Sequence, residues 1–405
     1  MFHLPHPRAA LLTLLVIPIT VTLASAGGSA AAAPPPTTPG DVPQTLSRNT
    51  ASAAAAAYLR ARAAAVIGPA RAGALAARCL PGGTLAYREA TLAAGARRLA
   101  RDLGHTTIAV SCKVRIRSVV IAPTGAVTVT AHVVTLATWT DRRGRANTEG
   151  ESLDHVVTLA AGGGRWLAVH DAYASDLTPR LLEAGGASTA AVEAASDRLE
   201  TRAHRLLHVV PAVTPLVDAP PLVDAPPPDT PPAAGSRLGY VARLTYDYDA
   251  AKAYADKYAL SYNPTYVSFS ADCANFGSQV MFAGGYPQFG DSYASGWWYD
   301  KGGTSSPSND SYSHAWIAVF NQQAAWNLKY VDFVSTIGGV KRGDFVYYDW
   351  TGNGTWDHVA ELAGTNSAGQ KVVDAHTTDH YHVFWKLGTS ATHYRFAHVR
   401  ATVVV

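Results

Sequence analysis

The sequence predicts an α+β protein made of two folded parts, in each of which helices precede antiparallel strands. Three observations predict this class. Helix-forming runs come before runs of alternating apolar and polar residues, and this order occurs twice along the chain. A proline-rich stretch, 209–237, separates the two occurrences. The length of 405 residues is sufficient for two domains of ordinary size.

The composition is that of a folded protein that does not bind nucleic acid. Apolar residues make up 48% of the chain and charged residues 16%, which is typical of a globular protein. The formal net charge is only +3, and the basic residues are scattered along the chain. Nucleic-acid-binding proteins gather Lys and Arg on one face, so we expect no nucleic-acid partner.

Residues 1–26 are predicted to be a secretory signal peptide. Arg8 precedes an apolar run over 9–23, and Ala-Ser-Ala at 24–26 provides a cleavage site. The alternative, an uncleaved membrane anchor, needs about 20 apolar residues. No later stretch is long enough to cross a membrane, so we expect a secreted, extracellular protein. Residues 27–46, rich in Gly, Ala and Pro, are predicted to be a flexible leader.

The chain has three cysteines, Cys79, Cys112 and Cys273. Disulfides persist in an oxidising compartment, and an odd cysteine then remains free. Cys79 and Cys112 lie together in the N-terminal half and are the expected disulfide pair. Cys273 is left as a free thiol, which is either an inert buried side chain or a reactive one.

Residues 47–208 are predicted to form an N-terminal α+β accessory domain. Ser47 can cap a first helix that ends before Pro69, and a second helix is expected over 87–103, where Gly104 stops it. Alternating apolar and polar residues then indicate the strands of a curved antiparallel sheet. The strands are expected at 114–117, 127–133, 155–159 and 165–169.

The end of this domain has a Gly162-Gly163-Gly164 turn that leads into Trp166-Leu167-Ala168-Val169-His170-Asp171. With the order of its elements, this ending resembles the cone-shaped nuclear-transport-factor-like fold over residues 47–177. That fold carries enzymes and non-catalytic modules alike, so the resemblance implies no activity. Residues 209–237 contain Pro-Leu-Val-Asp-Ala-Pro twice in succession, which is typical of a semi-rigid linker.

Residues 238–405 are predicted to form the second domain, in which Cys273 is the candidate reactive residue. A helix is expected over 248–258, and a shorter helix is expected to begin near Asp272 and to end at Gly284. Cys273 then lies in the first turn of the shorter helix. The partial positive charge at a helix N-terminus favours the thiolate, so this position predicts a lowered thiol pKa.

A cysteine nucleophile needs a histidine as its base and a third group that orients the histidine. His358 opens a predicted strand after the 349–355 loop. Asp374 and His376 lie on the following strand and point to the same face, because side chains alternate along a strand. Either of them could orient His358.

Several separate blocks of this domain are familiar. They are Tyr248-Asp249-Ala250-Ala251-Lys252-Ala253-Tyr254-Ala255, Tyr262-Asn263-Pro264-Thr265-Tyr266, Asp272-Cys273-Ala274-Asn275-Phe276, Trp297-Trp298-Tyr299, Gly343-Asp344, Asp357-His358 and His376-Thr377. Standing in this order, the blocks closely resemble the bacterial putative amidase domain family over residues 244–382. That family is related to the NlpC-type and CHAP amidohydrolases. The resemblance implies a papain-like cysteine hydrolase fold, in which a helix is followed by an antiparallel sheet.

Taken position by position, the resemblance implies a role for each candidate residue. Cys273 is the implied nucleophile and His358 the implied general base. His376 is the implied orienting residue, with Asp374 as the alternative. The implied reaction is hydrolysis of an amide bond through an acyl-thioester.

Two positions in the helix of the nucleophile depart from the family pattern. The family often has Thr where this chain has Ala274, and a bulky apolar residue where it has Gly277. Neither departure removes a catalytic atom. Glycine at position 277 weakens the helix by about 1 kcal/mol relative to alanine, which bears on how firmly the nucleophile is held.

The sequence contains only partial metal-binding patterns. Residues 349–354 begin like a calcium loop, but Thr351 and Ala360 stand where that loop needs acidic ligands. The stretch 376–382 is rich in His and Asp but lacks the second ligand cluster of a zinc site. We predict no cofactor and no metal.

The leading hypothesis is a secreted cysteine-dependent amidase or peptidase that acts on a peptide or a peptidoglycan-type amide. The alternative, from a different class, is a non-catalytic extracellular protein that binds peptide or glycan on the same fold, with Cys273 idle. A third hypothesis makes the N-terminal domain the functional one, so that its deletion abolishes activity. A monomer is expected.

Overall fold

A computed structural model describes residues 47–123, 125–205, 243–302 and 307–404. All of these residues belong to one compact unit, Thr45–Val405. The predicted signal peptide, the leader up to residue 46 and the linker at 209–237 lie outside the described residues. None of the described helices is long and apolar enough to cross a membrane.

Three helices open the described chain. Ser47 caps the first, because its hydroxyl accepts the Thr50 N–H at 3.2 Å. Pro69 begins the second, at a position where the missing N–H would have no helical partner. Two of these helices match the predicted ones, and the middle helix is not among the predicted elements. α1 spans Arg48–Ala64, α2 spans Pro69–Ala76 and α3 spans Thr84–Asp102.

An antiparallel meander of four strands follows, and each predicted strand lies within one of them. Alternation turns apolar side chains toward α1, where Val129 and Val157 lie opposite each other on neighbouring strands and are fully buried. This face and the helices enclose the N-terminal core. β1 spans Thr106–Ile121, β2 spans Val127–Thr140, β3 spans Ala146–Gly162 and β4 spans Arg165–Ala172.

Two further helices follow the meander, α4 (Thr178–Ala184) and α5 (Thr189–Arg205). α4 crosses α3 so closely that a Cβ on Gly95 would overlap the Leu181 carbonyl. Leu199 of α5 packs in a buried cluster formed mainly by the C-terminal sheet. The segment after β4 therefore lies against the C-terminal half of the chain.

Helices of the C-terminal half pack on the other face of that sheet. Their apolar side chains, such as Phe276 and Trp326, form a core with Phe345 and Tyr347. Two of these helices match the predicted ones, including the helix that begins beside Asp272. α6 spans Tyr248–Tyr258, α7 spans Cys273–Ala283, α8 spans His314–Ile317 and α9 spans Val319–Lys329.

Strands of the C-terminal half form three short pairs and the main sheet. The pairs are β5 (Arg243–Thr245) with β16 (Thr402–Val404), β6 (Phe289–Ser292) with β7 (Ser295–Trp297), and β8 (Tyr299–Asp300) with β9 (Ser311–Tyr312). The main sheet contains β10 (Val331–Val334), β11 (Phe345–Asp349), β12 (His358–Thr365), β13 (Lys371–Ala375), β14 (Asp379–Phe384) and β15 (His393–Val399).

The two halves of the chain share one continuous sheet. β14 pairs antiparallel with β3, so that His380 lies opposite Glu151. The strand order is β1-β2-β3-β14-β13-β12-β11-β15-β10, with β4 beside β3. The predicted α+β class is confirmed, with helices followed by antiparallel strands in both halves. The shared sheet also places N-terminal residues next to the candidate site.

The predicted Cys79–Cys112 disulfide is absent from the structure, in which both cysteines are free thiols. The sulfur atoms face different carbonyls, Cys79 that of Leu75 at 3.6 Å and Cys112 that of Leu59 at 3.9 Å. Both side chains belong to the N-terminal core or pack against it. Burial raises the pKa of both thiols, which keeps them protonated near neutral pH.

Candidate active site

Cys273 is the first residue of α7, where the sequence predicts it. Asp272 precedes it and fixes the entry of the chain into the helix. Its carboxylate accepts the Phe269 N–H at 2.8 Å and the Asn275 side-chain N–H at 2.9 Å. Cys273 is only 4% exposed, so the thiol is enclosed by the protein.

The pKa of the Cys273 thiol is raised, whereas the helix N-terminus predicts a lowered pKa. Burial raises it to about 11, although the Val359 N–H and the Thr377 hydroxyl both favour the thiolate. Exclusion of water from the thiolate therefore outweighs both of these contacts in this conformation. A thiol with this pKa is mostly protonated at neutral pH in this conformation, and the protonated form is a poor nucleophile.

The Thr377 side chain engages the backbone N–H groups at the start of α7. Its hydroxyl oxygen accepts the Asp272 N–H at 2.8 Å and the Cys273 N–H at 3.1 Å. Thr377 has a φ of 87°, a strained backbone conformation for a β-branched residue. The Cys273 N–H, which could otherwise stabilise an oxyanion, is thus engaged by a side chain.

His358 is the first residue of β12, and its ring lies on the opposite face of the sheet from Cys273. Val359 packs in the core with α7, and side chains alternate along a strand, so His358 points the other way. The ring stacks near Trp350 at a centroid distance of 5.3 Å. Its Nε2 lies 3.6 Å from Asp176 Oδ2 and has no hydrogen-bond partner among the described residues. The structure does not bring this ring to the thiol.

His376 lies on the same side of the sheet as α7, but both of its ring nitrogens are engaged. Nδ1 lies 2.7 Å from Asp272 Oδ2, and Nε2 lies 2.8 Å from the Tyr258 carbonyl oxygen. The ring also stacks on Phe276 at a centroid distance of 4.0 Å. His376 therefore anchors the start of α7 and does not orient His358 in this structure.

Asp374, the alternative orienting residue, is also separated from His358. It lies on β13 opposite Glu361 of β12, on the face that carries α6. Its Oδ1 accepts the His382 N–H at 2.6 Å. Of the four predicted site residues, only Cys273 and His376 lie together, at the start of α7.

A helix that begins with cysteine packs here against an antiparallel sheet in which one strand begins with histidine. Residues 245–399 match the family model of the putative amidase domain. The resemblance found in the C-terminal sequence is confirmed. The matched segment contains Cys273, His358, Asp374 and His376, so every predicted site residue lies within the segment that matches this family model.

The chain is 28% identical over 178 residues to the uncharacterized protein YhbB of Bacillus subtilis (strain 168), and the match covers 41% of this chain and 54% of that protein. The chain thus spans about half the length of this relative. The crystal structure of the intermembrane space region of chloroplast protein ARC6 is similar over 32% of this chain and 96% of that chain, with 16% identity and a TM-score of 0.26. The resemblance of residues 47–177 to the nuclear-transport-factor-like fold stays a prediction.

The N-terminal half places a carboxylate next to the segment that matches the family model. Asp176 follows β4, and its Oδ2 lies 3.6 Å from His358 Nε2 and 3.8 Å from His380 Nε2. Its N–H donates to the Thr378 hydroxyl at 3.1 Å. The side chains of Asp176, His358 and His380 are all buried, and burial raises the pKa of Asp176. No motif marks Asp176 in the sequence, so sequence reasoning missed it.

Arg202 of α5 makes a second contact from the N-terminal half to the matched segment. Its guanidinium donates to the Thr377 carbonyl, to the Ser270 carbonyl at 3.2 Å and to the Ala174 carbonyl at 3.3 Å. Thr377 contacts the Cys273 thiol, and Ser270 belongs to the segment that leads directly into α7. Arg202 therefore fixes both segments, and only the three-dimensional structure reveals this role.

Proposed function

We propose that the protein is a cysteine-dependent hydrolase of amide bonds, with Cys273 as its nucleophile. The observation that carries the proposal is the position of Cys273 at the start of α7, with the Val359 N–H and the Thr377 hydroxyl against its sulfur. A helix N-terminus stabilises a thiolate once water can reach it. The match to the putative amidase domain supplies the class of reaction.

His358 is the proposed general base. It adjoins Val359, whose N–H contacts the thiol, and it is the terminal residue of β12. In the described conformation the ring lies on the opposite face of β12 from the thiol, so His358 acts as the base only after this end of the strand rearranges. Burial, together with the positive charge of Arg202, lowers the pKa of His358 to about 3. The ring is therefore neutral but only weakly basic in this conformation, and its pKa must rise toward the ordinary value before it can take the thiol proton.

The proposed reaction has two halves. In the first, His358 takes the thiol proton, the Cys273 sulfur attacks the amide carbonyl carbon, and the C–N bond breaks as the imidazolium gives its proton to the leaving amine. In the second, His358 takes a proton from a water molecule that attacks the thioester. The acid then leaves, and the proton returns to the sulfur. The Cys273 N–H is the backbone donor nearest to the developing oxyanion.

We infer that the described conformation is a closed state of this enzyme. The thiol is buried, the Thr377 hydroxyl engages the Cys273 N–H, and the His358 ring lies beside Asp176. Arg202 holds Thr377, and it belongs to the N-terminal half together with Asp176. Activity then requires release of the contacts made by Arg202 and Asp176.

The proposed location and substrate follow from the N-terminal sequence. The signal-type pattern over 1–26 supports export from the cell. An exported amidase meets peptides of the cell wall and other extracellular peptides. We propose a peptide or a peptidoglycan-type amide as the substrate.

One observation favours a second candidate function. A buried thiol with a raised pKa, and a histidine turned away from it, are what a non-catalytic binding protein on this fold would show. Such a protein would bind peptide or glycan without cleaving it, and release of the N-terminal contacts would not create activity.

The experiment that tests the proposal measures release of amines from peptidoglycan fragments and from a peptide mixture. The full chain is compared as wild type, Arg202→Ala and Arg202→Ala with Cys273→Ala. We expect faster release by Arg202→Ala than by the wild type, and none above background after the second substitution. Release that persists without Cys273 contradicts the proposal. Binding of the fragments with no release by the first two proteins supports the binding function instead.

A further inference from the structure

We propose a site for one divalent cation between α6 and strands β13 and β14, with Asp256, Asp374 and His382 as its ligands. Each of these residues offers one ligand atom, and the three atoms all lie within 4.8 Å of one another. They come from a helix and two strands, so an ion here would join three separate segments. Nothing in the proposed amidase mechanism uses these side chains.

Asp374 provides the second observation that points to a ligand. It is fully buried, and its Oδ2 has no hydrogen-bond partner within the described part of the chain. Its other oxygen, Oδ1, accepts the His382 N–H at 2.6 Å. A buried carboxylate oxygen without a partner is unfavourable unless an ion or a proton completes it.

Glu361, which pairs with Asp374 across neighbouring strands, is a second buried carboxylate with an oxygen that lacks a hydrogen-bond partner among the described residues. It lies opposite Asp374 in the ladder of β12 and β13, and it is also fully buried. Its Oε1 accepts the Gly343 N–H at 3.0 Å, whereas Oε2 has no partner among the residues described. Like charges directly opposite each other on neighbouring strands repel. A divalent cation bound by Asp374 would reduce this repulsion.

His382 and Asp256 form the more exposed side of the site. His382 Nε2 lies 2.9 Å from Asp256 Oδ1, and the two side chains are 25% and 32% exposed. An ion can therefore enter from solvent. Lys252 contacts the other Asp256 oxygen and leaves Oδ1 directed at the site. His382 has a left-handed backbone with φ 52°, which any residue other than glycine adopts only at a cost.

The ligand set indicates the class of metal. One imidazole nitrogen with carboxylate oxygens suits zinc and similar transition metals, whereas calcium and magnesium take oxygen ligands. Zinc bonds of about 2.0–2.2 Å would draw the three ligand atoms together. The sequence predicted no metal, because the stretch 376–382 lacks a second ligand cluster and Asp256 lies on a distant helix.

Cobalt, which absorbs visible light when bound in place of zinc, is the probe that tests the site. The full chain is treated with EDTA and titrated with Co²⁺ and then with Zn²⁺, while absorbance and melting temperature are recorded. We expect one Co²⁺ per chain, displacement by Zn²⁺ and a higher melting temperature. His382→Ala and Asp256→Asn should each weaken binding by about tenfold or more. Their partial exposure favours folding, which the melting temperature without metal checks.

Matched controls come from the same chain. His393→Ala removes an exposed histidine, and Asp249→Asn removes an exposed carboxylate of α6; both should keep full binding. Cys273→Ala should also keep it, so the result is independent of the proposed amidase activity. The absence of saturable binding overturns the site, as does binding that survives both His382→Ala and Asp256→Asn. Loss of binding in Cys273→Ala assigns the metal to the thiol instead.

Discussion

At the scale of the residue, burial and the helix N-terminus act on the Cys273 thiol in opposite directions. The helix start favours the thiolate, but the enclosed sulfur has its pKa raised to about 11. Whether Cys273 reacts therefore depends on access of water as much as on its position in α7. The neighbours that control this access can be tested one by one.

The Thr377 hydroxyl should stabilise the closed state. Thr377→Val keeps the shape of the side chain but removes the acceptor of the Asp272 and Cys273 N–H groups. We expect the free energy of unfolding to fall by about 1–2 kcal/mol, since two backbone donors lose their partner. Urea unfolding measures the change. Thr377→Ser is the matched control, and an equal loss in this variant would show that the hydroxyl does not act as the cap.

His376 should matter for stability through the anchor that it forms with Asp272. His376→Ala removes the imidazole partner of Asp272 Oδ2 and leaves a buried carboxylate that keeps only its contacts to Oδ1. We expect a loss of about 3 kcal/mol or more in the free energy of unfolding. His393→Ala removes an exposed histidine and should change it by less than about 0.5 kcal/mol. Similar losses in the free energy of unfolding for the two variants, measured by urea unfolding, would show that His376 does not anchor the start of α7.

At the scale of the element, α7 tolerates a side chain where its sequence departs from the family pattern. A Cβ on Gly277 would lie 3.6 Å from the Gln322 Nε2 and 3.6 Å from the Phe345 ring, which are ordinary contacts. Gly277→Ala should therefore raise the free energy of unfolding by about 0.5–1 kcal/mol.

Gly95→Ala is the matched change in α3, and it should act in the opposite direction. Its Cβ would overlap the Leu181 carbonyl at the crossing of α3 and α4. We expect a loss of about 1–3 kcal/mol. Thermal unfolding of both variants checks the pair. A destabilised Gly277→Ala would show that α7 is packed more tightly than these distances indicate.

Elements with strong local signals could be predicted from the sequence. The meander strands alternate apolar and polar residues, and α7 has its cysteine and terminal glycine in place, so both were predicted. β14 was not predicted, because Asp379 and His380 are buried polar residues that interrupt the apolar pattern. α4 and α5 were also not predicted, and their role lies in contacts with other segments rather than in local periodicity.

At the scale of the whole molecule, the candidate site contains residues from both halves of the chain. Sequence reasoning placed Cys273 at a helix start and His358 at a strand start, and the structure has both there. It could not place Asp176 and Arg202 beside them. Their position depends on the pairing of β3 with β14, which joins segments that are far apart in the sequence and is not encoded in any local pattern.

The contact between the two halves should weaken in acid. Burial and Arg202 lower the pKa of His358 to about 3 from its ordinary value of 6.5, so the folded state favours the neutral ring. Stability from this group is complete above pH 6.5 and is lost as the pH falls below it, by about 2 kcal/mol at pH 5. The groups that face the ring include Asp176, His380 and Arg202.

His358→Gln isolates the contribution of this histidine from that of other acids and bases. We expect the free energy of unfolding to fall less between pH 7 and pH 5 in the variant than in the wild type, by about 2 kcal/mol. Urea unfolding at the two pH values gives the comparison. The same fall in both proteins would mean that His358 is accessible to protons in the folded state.

The central claim is that Cys273 is a nucleophile activated by His358 and closed off by the N-terminal half. The most direct test is the rate of iodoacetamide alkylation at Cys273 near pH 7 in the wild type, Arg202→Ala and Arg202→Ala with His358→Ala. Arg198→Ala, an exposed position on the same helix, is the control. The account predicts slow alkylation in the wild type and control, fast alkylation in Arg202→Ala, and a slow rate again without His358. Equal rates in wild type and Arg202→Ala, or a fast rate that persists without His358, would contradict it.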